Sequence, residues 1–171
     1  ANLPGDRSAS STLGAILEFA CMPVSLYKGA NHRKRGVAIK PLTDFLLEID
    51  QSNRTVIGSA TDYPQDWVIA PHTHEKHQLL YAISGVMVVY SESSQWTVPS
   101  NRGVWMPSGR VHSIRCVGPL KMRSVFVRPD ALVDLPAEVK AVSISPLLSE
   151  LIKVAEGLQQ PYAAHSSEDR V

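Results

Sequence analysis

The stretch Pro71-His72-Thr73-His74-Glu75-Lys76-His77-Gln78, followed by the apolar run Leu79-Leu80-Tyr81-Ala82-Ile83 and then Gly85, decides how this chain is read. A short apolar run closed by glycine has the length and composition of a strand. In extended chain, residues i and i+2 share a face, which places His72 and His74 on the same side. A second stretch, Pro107-Ser108-Gly109-Arg110-Val111-His112, is a Pro-x-Gly turn feeding another strand, with a histidine just after the turn. The turn fixes how the strand begins and hence where His112 points. Two imidazoles from one strand and a third from another make a facial donor set, which suits zinc, copper, iron or nickel. Taken singly, each histidine is as well explained as an ordinary polar residue satisfied by its neighbours. The two segments together carry the reading.

Outward from these segments the texture is that of a sandwich or barrel. From about Pro41, short apolar or alternating runs are separated by Gly, Pro, Ser and Asn. The candidate strands are Thr55 to Ala60, Trp67 to Ala70, Gln78 to Ile83, Val86 to Tyr90, Gln95 to Val98, Gly103 to Met106, Val111 to Cys116 and Lys121 to Val127. After Pro129 the period changes. Ser145 is suited to cap a helix and Pro146 to begin it, and Leu147, Leu148, Leu151, Ile152, Ala155 and Leu158 recur at helical spacing until Gly157 and Pro161. At the end, Ser167 with Glu168 and Asp169 reads as the opening of a further helix, so the chain is expected to continue beyond Val171 in a longer protein. The expected organisation is a poorly defined segment over 1–40, a barrel over 41–130 and a helical segment over 131–171. Within the first, ANLPGDRSAS at residues 1–10 is expected to be mobile.

Composition narrows the function classes. With 171 residues and 44% hydrophobic content, there is enough chain for one domain with a real core. Lys and Arg number 17 against 16 Asp and Glu, a net charge of +1, so the chain as a whole carries no electrostatic footprint for nucleic acid or an anionic membrane. The basic run His32-Arg33-Lys34-Arg35 reads as a solvated surface. Cys21 and Cys116 form neither a metal-binding pair nor a disulfide framework, which fits a reducing compartment. The apolar stretch Leu13 to Tyr27 is interrupted by Glu18 and Pro23 and is too short to span a membrane. The cytoplasm is the expected location.

The two histidine segments resemble the paired signature motifs of the cupin family, with His72, His74, Gly85, Pro107, Gly109 and His112 all matching. Two positions depart: Gln78 stands where a glutamate is usual, and Asn101 where a glycine is usual, with Gly103 nearby. An amide in place of a carboxylate removes a unit of negative charge from a metal shell and a proton acceptor from any reaction. The longer run Gln78 to Met87, with Trp96 to Pro99, Val104 to Pro107 and Gly109 to His112, is similar to the amino-terminal domain of AraC-type transcription regulators. Ile49 to Pro64 and Val142 to Leu148 extend that resemblance over roughly 45–171, and glutamine is common at the Gln78 position in that family.

The resemblance implies an all-β fold: a cupin double-stranded β-helix, or jelly-roll barrel, with a C-terminal amphipathic helix. It implies an effector-sensing and dimerisation domain that is not an enzyme, with a small molecule inside the barrel. DNA would be contacted only through a helix-turn-helix domain that follows, and a homodimer would form through helix 146–159, whose stripe could equally cover its own barrel. With strand alternation, it places His72, His74, Gln78, Leu80, Trp105, His112, Ile114 and Met122 around the ligand; for Trp105, simple core packing explains the residue equally well. A divalent transition metal (zinc, nickel or iron) would be held by His72, His74, Gln78 and His112. The competing reading is a metal-dependent cupin enzyme, a dioxygenase or isomerase, using the same four residues.

Overall fold

A computed structural model of the protein describes residues 39–157. Helix α1 (Leu42–Gln51) is followed by nine strands: β1 (Val56–Tyr63), β2 (Val68–His72), β3 (His77–Ser84), β4 (Met87–Ser91), β5 (Gln95–Val98), β6 (Arg102–Met106), β7 (His112–Cys116), β8 (Leu120–Val127) and β9 (Lys140–Ser143). Helix α2 (Pro146–Gly157) comes last. The strands form a five-stranded sheet, β1-β8-β3-β6-β9, and a four-stranded sheet, β2-β7-β4-β5, all paired antiparallel. This is the expected all-β, cupin-like barrel with a C-terminal helix. The readings on Cys21, the 32–35 basic run, the 1–10 segment, Leu158 and the Ser167 helix lie outside the described residues.

Alternation builds the interior. On β8, Leu120, Met122, Ser124 and Phe126 are buried while Lys121 is exposed, and on β3 the buried Gln78, Leu80 and Ala82 face the same interior. Leu80, Ala82, Met87, Val89, Val104, Met106, Ile114 and Cys116 are among the side chains of one apolar cluster between the sheets. All eight expected strands form, with ends shifted by a few residues.

Two elements were not anticipated. Residues 42–51, inside a region read as strands and turns, form α1, whose Phe45 and Ile49 pack on Ile57 and Phe126 at one end of the barrel. Strand β9 pairs with β6, so the five-stranded sheet reaches beyond residue 130, where the barrel segment was expected to end.

Helix α2 begins as its sequence suggests. The Leu148 N–H donates to Ser145 Oγ at 3.2 Å, and Pro146 occupies the first helical position. Its inner face lies on the outside of β1 and β8: Ile152 is buried, Arg123 and Glu156 form an ion pair at 2.7 Å, and the Tyr81 hydroxyl is 3.3 Å from Ser149 Oγ. The approach is close enough that a Cβ on Gly58 would sit 2.3 Å from the Ala155 carbonyl carbon, so only glycine fits there. The outer face keeps Leu147, Leu151 and Val154 exposed, at 70%, 47% and 48%. The stripe read as one surface is therefore divided between Ile152, turned to the barrel, and leucines turned to solvent.

Candidate functional site

His72, His74 and His112 meet at the end of the barrel beneath α1, with one ring nitrogen of each within 4.8 Å of the others. Each arrives by a different local device. On β2 the pairing passes from Ile69↔Ile114 directly to His72↔His112, so three steps along β2 match two along β7. That bulge re-phases the strand. Ile69 faces the interior, and without the extra residue Pro71 would follow it inward and His72 would point outward. His74 lies beyond the end of β2, in the loop before β3, so it does not share a strand face with His72 as the i, i+2 spacing suggested. Its backbone is tied to the second motif, because the Gly109 N–H donates to the His74 carbonyl at 2.9 Å. Gly109 holds φ at +74°, as the third residue of this Pro-x-Gly turn requires, and His112 then starts β7.

Each ring is oriented through Nδ1. His72 donates to the Ala70 carbonyl at 2.8 Å, His112 to the Arg110 carbonyl at 3.0 Å and His74 to the Lys76 carbonyl at 2.5 Å. A carbonyl accepts only from N–H, so the proton sits on Nδ1 and Nε2 is the nitrogen turned toward the cluster. Burial, with the neighbouring His74, pushes the His72 pKa down to about 4. Burial together with His72 pushes His112 down to about 3. Both are neutral lone-pair acceptors at neutral pH. Nε2 of His112 is fully buried and has no hydrogen-bond partner among the described residues.

Gln78 joins them from β3. Its Oε1 lies 2.9 Å from His74 Nε2, and its Nε2 donates to Ser124 Oγ at 3.0 Å. Phe126 closes the floor, its ring 5.3 Å from that of His74 and nearly perpendicular to it. Helix α1 and the turn after it clamp the His74 loop from outside: the Glu75 N–H donates to Asp50 Oδ1 at 2.9 Å and the Lys76 ammonium to the Ser52 carbonyl at 2.8 Å.

The structure thus brings together His72, His74, Gln78 and His112. Leu80, Ile114 and Met122 lie two residues along the same strands from Gln78, His112 and Ser124, in the apolar core. Trp105 is a correction. Val104 and Met106 face the interior, so alternation turns Trp105 to the outside of its sheet, where its indole stacks on His77 at 5.3 Å and donates to the Pro136 carbonyl at 2.8 Å. Sequence reasoning missed Ser124, Phe126, Lys76 and Asp50. Ser124 was within reach, two residues from Met122 on the same strand face.

One ring nitrogen from each of three histidines at this spacing, with His112 Nε2 buried and lacking a partner among the described residues, is a donor set of the kind that holds a divalent transition metal; His72, His74 and His112 would hold it, His74 only by giving up its hydrogen bond to the Gln78 oxygen. The Nε2 atoms of His72 and His112 are also able to accept hydrogen bonds from an organic ligand. Close by, at the strand end where Ser91 pairs with His112, Ser91, Trp96, Arg110 and Glu138 line a cleft of about 100 Å³.

Residues 55–170 match the family described as the AraC-like ligand binding domain. The chain belongs to that family. The matched span includes every residue of the histidine cluster. Among curated proteins, the HTH-type transcriptional regulator NimR of Escherichia coli K12 is 31% identical over 106 residues, or 61% of this chain and 38% of NimR. The chain therefore spans well under half the length of that relative. Among solved structures, fatty-acid-bound ToxT from Vibrio cholerae superposes with a TM-score of 0.52 at 8% identity, over 70% of this chain and 51% of ToxT, a likeness of fold. A cupin superfamily protein from Desulfitobacterium hafniense covers 46% of this chain and 71% of its own at 18% identity, with a TM-score of 0.43.

Proposed function

We propose that this AraC-like domain is the effector-sensing part of a transcription regulator: a small molecule binds at the histidine end of the barrel, and α2 relays the event to a second copy and to a DNA-binding domain elsewhere in the protein. The observation that carries the reading is the match of residues 55–170 to a ligand-binding family on the residues that build the cluster. The relative named an HTH-type transcriptional regulator supports the DNA-linked role, and that role fits a cytoplasmic location. The exposed Leu147, Leu151 and Val154 support a homodimer through α2.

The role is binding rather than catalysis. Gln78 lacks the negative charge and the proton acceptor that a carboxylate would bring to a metal-dependent reaction. The competing reading, a dioxygenase or isomerase, draws its support from the three-histidine donor set alone. Thermal unfolding of the 171-residue chain across a metabolite panel tests the proposal. A ligand present at a hundredfold its Kd stabilises by about 2.7 kcal/mol, a rise of several degrees. The same compound should leave His112→Ala unmoved. A panel that shifts nothing, alongside metal-dependent turnover of a substrate, would replace the sensing role with the enzymatic one.

A further inference from the structure

Gln78 does more at this site than stand in for a carboxylate. Its amide spans two partners, His74 Nε2 at 2.9 Å and Ser124 Oγ at 3.0 Å, and both Gln78 and Ser124 are 3% exposed or less. His74 Nδ1 is already committed to the Lys76 carbonyl. In one amide orientation His74 donates from both nitrogens to two oxygens and is a cation. In the other, reached by a half-turn of the amide, Gln78 donates to the lone pair of a neutral ring and takes the Ser124 hydroxyl proton on its oxygen. In both orientations His74 Nε2 is engaged.

We propose that Gln78, anchored by Ser124, is the specificity-determining residue of the cluster: it occupies His74 Nε2 and converts a three-imidazole metal set into a two-acceptor site, His72 and His112, for an N–H or O–H group of an organic effector. The inference rests on the sensing role and states which ligand chemistry it selects. A divalent metal must break the hydrogen bond between the Gln78 amide and His74 and gains no charge in return. A neutral donor meets His112 Nε2, which is buried without a partner among the described residues, and approaches past the half-buried His72. Serine at 124 is what keeps the amide in place, because both of its neighbours on the interior face of β8, Met122 and Phe126, are apolar.

Cobalt(II) provides the test, since its visible absorption reports tetrahedral imidazole coordination. The 171-residue chain should bind it weakly, Gln78→Glu about ten- to a hundredfold more tightly, and Ser124→Ala, which leaves the amide unanchored, with a smaller gain in the same direction. Side-chain ¹⁵N spectra of the unsubstituted chain should show His72 and His112 protonated on Nδ1 and bare on Nε2. Equal cobalt affinity in all three proteins overturns the proposal, as does a protonated Nε2 on His112. Where Gln78→Glu fails to fold, an unchanged affinity in Ser124→Ala is sufficient to overturn it. Failure of the sensing role would appear as the absence of any ligand-induced thermal shift and would leave the cobalt affinities as they are.

Discussion

Burial holds the His72 and His112 pKa values at about 4 and about 3, below the unfolded value near 6.5, and the sign of the pH effect follows. The folded chain binds fewer protons than the unfolded one between these limits, so the stability contributed by the neutral rings is complete above about pH 6.5 and is lost as pH falls toward the folded values. At about pH 5 the loss is about 2 kcal/mol for each ring. Urea unfolding at descending pH should show that decline, and His112→Asn should flatten it by close to one proton. An identical slope in the two proteins would mean that His112 does not hold its neutral form through folding. At this scale the sequence located the four polar residues but not their supports. Motif spacing marks His72, His74, Gln78 and His112. The carbonyls that fix their protons, and Ser124 behind Gln78, depend on backbone geometry that spacing does not encode.

Strands were more legible than helices because the barrel's strands alternate or run apolar between turn residues, as β8 does from Leu120 to Val127. Helix α1 escaped notice although Leu42, Phe45, Leu46 and Ile49 recur at helical spacing: Pro41 supplies no side-chain cap, and only Ile49 is fully buried. β9 is largely exposed, so no buried apolar face marks it in the sequence. The bulge in β2 was equally invisible, since it depends on pairing with β7. The docking of α2 permits a direct check. Gly58→Ala places a methyl group against the Ala155 backbone, whereas Gly118→Ala meets nothing within 4 Å. The first should cost about 1–3 kcal/mol and speed hydrogen exchange across 146–157, and the second should be nearly neutral. Equal melting temperatures for the two variants would place α2 off the sheet.

For the molecule as a whole, the barrel was readable from two motifs because their turns and glycines hold for the fold as well as for the site. Its far side was not: which residues of α2 face the barrel depends on Gly58, a residue distant in sequence. Replacing Leu147 and Leu151 with glutamate should leave the fold intact and shift sedimentation equilibrium of the 171-residue chain from dimer to monomer. A chain that is monomeric before the substitutions would remove α2 as the pairing surface. β8 connects the two ends of this picture. Ser124, which steadies the Gln78 amide inside, follows directly after Arg123, which grips Glu156 of α2 outside. The wall between what the barrel holds and what the helix shows to a neighbour is therefore one residue thick, and a change on its inner side has a single peptide bond to cross before it is felt on the outer.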